Sequence, residues 1–126
     1  MYRMYNPNPA KNRIGDCAVR AISRLFDVDW QTAYMMLAAE GLMLYEMMND
    51  PYVIGTLLQK KGYMMESINN VCPDCTTVKD FTNEHKIGKY ALFTDHHIVA
   101  VVDGDYFDSW DSGDEIVLYY FKEVQL

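Results

Sequence analysis

A cysteine at a helix start, a histidine entering a strand and an acid across a hairpin from it are the residues of this chain best suited to chemistry. Cys17 follows Gly15-Asp16 and opens the apolar-periodic run CAVRAISRLF. In a first helical turn the unpaired backbone N–H groups and the helix dipole favour a thiolate and lower the thiol pKa. The backbone N–H of Cys17 is also placed to hold a developing oxyanion. Asn12, a little upstream, offers a side-chain donor to the same oxygen. Taken alone, a cysteine of this kind is more often a small buried apolar residue.

A thiolate nucleophile needs a proton partner, and that partner needs an orienting group. His96 and His97 lie where KYALFT ends and HIVAVV begins. If Asp103-Gly104 forms a two-residue type I′ turn, Val102 faces Asp105. His97 then lies opposite Trp110 and Val99 opposite Asp108, which puts Asp108 on the face of His97, one diagonal step away. A three-residue turn would bring Asp111 to that face instead. Asp-Gly favours the shorter turn, so Asp108 is the preferred third member. His96, paired in face with Asp111, ranks second. Each residue has a bland reading as a satisfied strand-end group; the ordered set is what points to catalysis.

Cys72-Pro73-Asp74-Cys75 is a C-x-x-C. A redox dithiol wants this motif at a helix start in a thioredoxin-like context, and a zinc site wants two further ligands. Only His85 is nearby, so a chance pair in a loop is the favoured reading and no metal is expected. The odd count of three cysteines does not suggest a disulfide framework.

The elements that must position these groups follow from periodicity and punctuation. Residues 1–12, with two prolines and three asparagines, read as an extended arm. A helix is expected over 17–26 with Asp16 as N-cap; Val19, Ile22 and Phe26 mark its inner face, and Arg20 and Arg24 fall on another. A second helix is expected over 30–40, capped by Asp29 and closed by Gly41. A third starts at Asp50-Pro51 and is closed by Gly62. Then come a strand at 63–68, a short helix at 78–85 capped by Thr77, and strands at 89–94, 97–102, 105–110 and 115–121. Helices first and an antiparallel β-meander after them argue an α+β fold. The clustered methionines (Met35-Met36, Met43, Met47-Met48, Met64-Met65) are expected to fill core gaps.

Composition narrows the function. At 126 residues, half of them apolar, the chain suits a single domain spanning 1–126. Lys plus Arg number 11 against 18 Asp plus Glu, a formal charge of −7, and the basic residues are scattered. Such a chain repels phosphate backbones, so a nucleic-acid partner is not expected. No apolar run is long enough to span a membrane, and the first residues hold no secretory apolar region, so a cytoplasmic location is expected.

The segment GDCAVRAISRLFDVDWQTAYMML resembles the region around the nucleophile in papain-like cysteine peptidases, in the short forms found in phage and bacterial genomes. HHIVAVVDGDYFDSWDS resembles their second block, a histidine entering a strand, a glycine turn, then an aromatic-aspartate pair and a tryptophan. The resemblance implies a papain-like fold, with Cys17 as nucleophile, His97 as general base and acid, and Asp108 as the residue orienting the imidazole. It implies a thiol hydrolase acting on an amide, peptide or isopeptide bond of a protein or peptide substrate, without a cofactor. The chain departs from the pattern where these enzymes commonly carry an oxyanion-stabilising glutamine: Lys11 stands there, and Asn12 is the nearest amide. A second reading keeps the papain-like fold but assigns it to binding, as a phage-encoded factor that inhibits or sequesters a host protein.

Overall fold

The structure is a computed structural model and describes residues 1–124 of the chain. Its elements in order are β1 (Tyr2–Met4), α1 (Cys17–Phe26), α2 (Trp30–Leu44), α3 (Pro51–Lys60), β2 (Tyr63–Ser67), α4 (Val78–Glu84), β3 (Lys89–Thr94), β4 (His97–Val102), β5 (Asp105–Asp108) and β6 (Tyr119–Glu123). All strands join one six-stranded sheet in the order β1-β5-β4-β3-β6-β2. The architecture is α+β. Among the described residues no helix is long and apolar enough to cross a membrane.

Two features of the sheet differ from the expected meander. The first residues are not a free arm: β1 pairs in parallel with β5, Tyr2 beside Tyr106 and Met4 beside Asp108. And β6 does not follow β5 in space. It crosses to the far side of β3, with Phe121 opposite Ala91, and carries β2 on its outer edge. Only β3, β4 and β5 form a true meander. The expected strand at 115–121 is displaced as well. Residues 115–118 hold the chain before α4, with Val117 N–H donating to the Thr76 carbonyl at 2.9 Å, and the ladder begins at Tyr119.

Both faces of the sheet are covered, which explains why HIVAVV reads as an unbroken apolar run rather than an alternation. On one face Ile22, Leu25, Leu37 and Leu58 from α1–α3 pack on Ala91, Phe93, Ile98, Ala100 and Phe121. On the other, Val78 and Phe81 of α4 and Val117 pack on Tyr90, Leu92, Val99, Val101 and Tyr106. α1 lies between the sheet and α2, and nearly all its residues are buried, Arg20 and Ser23 included.

The helix ends refine the expected boundaries. Asp16 precedes α1 but makes no side-chain cap; its carboxylate is committed elsewhere. Asp29 accepts from the Thr32 N–H at 2.7 Å and Asp50 from the Tyr52 N–H at 2.8 Å, as their positions suggested. Thr77 and Asp80 form a reciprocal capping box on α4. Gly41, expected as a terminator, lies inside α2, which runs on to Leu44. A Cβ there would sit 2.7 Å from the Glu46 carbonyl oxygen. The glycine permits that close approach rather than ending the helix.

The methionines do not fill the core as expected. Met35, Met43, Met47, Met64 and Met65 are all more than half exposed, whereas Met36 and Met48 pack against the core. α2 is apolar around most of its circumference, so its periodicity could not tell an inner face from an outer one. Cys72 and Cys75 also depart from the chance-pair reading, since their sulfurs are joined in a disulfide across a Cα–Cα distance of 4.8 Å. Among the described residues no group of three or more His, Cys, Asp or Glu side chains is placed to hold a metal ion.

Candidate active site

Three element ends meet at the site. Cys17 is the first residue of α1, His97 the first of β4 and Asp108 the last of β5. The β4–β5 turn places the last two. Asp103 (φ 48°) and Gly104 (φ 83°) both take the left-handed backbone that a type I′ turn requires. Val102 therefore faces Asp105, and Ala100 faces Phe107. The register expected from Asp-Gly is the one present, and it carries His97 and Asp108 together. His97 Nε2 meets Asp108 Oδ2 at 2.6 Å. Trp110, expected opposite His97, packs its ring against the imidazole with centroids 4.9 Å apart.

Asp108 is fully buried, and every acceptor direction of its carboxylate is used. Besides His97, Oδ2 accepts from Ser112 Oγ at 2.6 Å. Oδ1 accepts from the Ser109 N–H at 2.8 Å and pairs with Arg20 Nη2 at 2.9 Å. Arg20 Nη1 reaches Asp16 Oδ1 at 2.6 Å, and Trp30 Nε1 donates to Asp16 Oδ2 at 3.0 Å. β1 contributes from the edge, where the Tyr2 hydroxyl donates to the Asp108 carbonyl at 3.1 Å.

With Nε2 on Asp108, Nδ1 is the ring nitrogen left for Cys17, and the thiol and the imidazole are close enough for each to shift the other's ionisation. Burial works against the thiolate of Cys17, but His97, the Ile98 backbone N–H and the Arg20 charge outweigh it and hold the thiol below its ordinary range. Burial likewise works against the imidazolium, yet Asp108 and Cys17 push His97 up to about 9. For Asp108, burial opposes ionisation and is overcome by His97, Ser112 and Arg20, which keep the carboxyl below the usual range. The three directions favour the same charge pattern: thiolate, imidazolium, carboxylate. A half-buried thiolate beside an imidazolium combines a nucleophile with a proton donor.

Cys17 and His97 open on a groove of about 1030 Å³ whose wall includes Asn12, Arg13, Ile14 and Trp110. Asn12 is exposed on the segment leading into α1. Lys11 turns its Nζ to the Asn6 carbonyl at 2.6 Å. Neither runner-up residue contacts Cys17 or Asp108, although His96 also lines the groove. His96 is nearly fully exposed beside Asp95, and Asp111 accepts from the Tyr106 hydroxyl and the Gly113 N–H.

Sequence reasoning missed Arg20, Ser112 and the second role of Asp16. Periodicity puts Arg20 on a face other than that of Val19, Ile22 and Phe26, yet it is buried, paired with Asp16 and Asp108. The i, i+4 spacing of Asp16 and Arg20 was the available signal. The chain matches no family model, no curated protein and no solved structure.

Proposed function

We propose that this chain is a thiol-dependent hydrolase of papain-like fold that cleaves an amide, peptide or isopeptide bond. The observation that carries the reading is the convergence of Cys17, His97 and Asp108 from three separate elements, with His97 hydrogen-bonded to Asp108 and the thiol beside the imidazole, at a groove. Cys17 Sγ attacks the substrate carbonyl as the thiolate. The oxyanion of the tetrahedral intermediate is held by the Cys17 backbone N–H at the start of α1, with the Asn12 amide as second donor. His97 protonates the leaving amine from Nδ1, and the C–N bond breaks to leave a thioester on Cys17. His97, now neutral, takes a proton from water. The resulting hydroxide equivalent displaces the thiolate and releases the acid. Asp108 keeps Nε2 protonated throughout, so that Nδ1 is always the nitrogen that exchanges the proton.

The test uses a mixture of tryptic peptides as substrate, with new amino termini counted by mass spectrometry. The wild-type protein is expected to generate new termini and Cys17→Ala none. Equal cleavage by both, or by neither, would overturn the reading.

A second reading, a papain-like-fold binding or inhibitory protein without required catalysis, is favoured by the exposed apolar residues of α2, Met35, Leu42 and Met43. It predicts that Cys17→Ala retains full biological effect.

A further inference from the structure

Arg20 sits in the first half of the largely buried α1 and is itself 5 % exposed. A guanidinium withdrawn from water to this degree is costly unless its charge and donors are matched. Its two terminal nitrogens diverge to two carboxylates, Nη1 to Asp16 at 2.6 Å and Nη2 to Asp108 at 2.9 Å. Each carboxylate spends its other oxygen on a ring N–H: Asp16 on Trp30 of α2, Asp108 on His97 of β4. One side chain thus ties the helix that carries Cys17 to the strand that carries Asp108.

We infer that Arg20 is the positioning residue of this site, clamping the rear oxygen of Asp108 so that the front oxygen meets His97 and placing a fixed positive charge behind the triad that favours the Cys17 thiolate. The inference rests on the hydrolase reading of those three residues. A neutral donor would satisfy Asp108 Oδ1 equally well as a hydrogen bond. The guanidinium adds a charge that no pH change removes.

The groups facing this charge come from several elements. α1 supplies Asp16 and Cys17, β4 His97, β5 Asp108, and β1 Tyr2; α2 supplies only the neutral Trp30, and Lys11 and Arg13 lie on the groove wall. Arg20 is the cation in contact with both carboxylates. Without it, two buried carboxylates stand uncompensated near the thiol, and thiolate formation moves to higher pH. With lysine the charge survives, but a single nitrogen cannot take over the divergent two-nitrogen bridge.

The experiment measures iodoacetamide alkylation of Cys17 against pH in wild type, Arg20→Gln and Arg20→Lys, with hydrogen exchange of the His97 Nε2 proton followed by NMR. Arg20→Gln is expected to raise the alkylation midpoint by about one pH unit, a roughly tenfold lower rate on the acid limb. Arg20→Lys is expected to keep the midpoint while its Nε2 proton exchanges about tenfold faster, because the clamp on Asp108 is broken. A purely structural arginine would move neither readout. If the wild-type midpoint is depressed and Arg20→Gln matches it, the inference fails and the hydrolase reading stands. If the wild-type thiol titrates like that of an unstructured peptide, both fail. Should Arg20→Gln not fold, unchanged Nε2 exchange in Arg20→Lys overturns the inference by itself.

Discussion

Replacing Asp108 with asparagine is the perturbation whose consequences the structure specifies most fully. The carboxylate has four partners: it accepts from His97 Nε2 and Ser112 Oγ on one oxygen and from the Ser109 N–H on the other, where it also forms an ion pair with Arg20 Nη2. Asparagine has one acceptor oxygen and one NH2 group. Facing the NH2 toward Arg20 and the Ser109 N–H would set donor against donor, so it turns toward His97 and Ser112. Ser112 adapts by rotating its hydroxyl. His97 adapts only by giving up the proton on Nε2, which places the remaining proton on Nδ1 and destroys the imidazolium that Cys17 requires. Arg20 meanwhile loses one of two charged partners in a buried site, a loss of about 3 kcal/mol, which corresponds to a fall in Tm of about 10 °C for a chain of this size. Hydrolysis is expected to fall by roughly 10⁴, as for other triads forced into the wrong tautomer. Differential scanning fluorimetry, peptide cleavage and alkylation of Cys17 below pH 8 read the three effects separately. A variant with wild-type Tm and wild-type alkylation would refute the reasoning, because a fully buried carboxylate with four partners would then contribute nothing.

Two further outcomes follow from the same geometry. The folded-state pKa of Asp108 is depressed, so its stabilising effect is present above the ordinary carboxylate range near 4 and is lost as pH falls. The Tm gap between wild type and Asp108→Asn should therefore narrow on acidification; a gap that is constant or widens would contradict the charge assignment. Gly41→Ala should destabilise the protein by about 1–3 kcal/mol without altering Cys17 alkylation, since the added Cβ meets a backbone oxygen rather than a flexible side chain. A neutral result in a thermal melt would show that the α2–α3 connection is free to move.

How far the site was legible from sequence depended on whether local chemistry or tertiary packing decided the outcome. The β4–β5 register was legible because Asp103-Gly104 dictates its own turn, and the turn fixes the cross-strand partners out to Phe107, one residue short of Asp108. The start of α1 at Cys17 was legible from the break in hydropathy after Gly15-Asp16. Arg20 was not. A helical wheel separates a charged residue from the apolar face but cannot say that tertiary contacts will bury it, and here the guanidinium is buried against two acids. β1 escaped notice because three residues just ahead of an asparagine- and proline-rich stretch form a strand only when β5 offers a parallel edge. The methionines misled for the converse reason, since apolar character all around α2 carries no information about which side is covered.

The central claim is that His97 stands charged between a thiolate and a carboxylate. ¹⁵N NMR of the imidazole ring at pH about 7.5 tests it without any substrate. With His97 pushed up to about 9, both ring nitrogens are predicted to be protonated in the wild type. A ring that is neutral at that pH, titrating near the ordinary histidine value of about 6.5, would contradict the account.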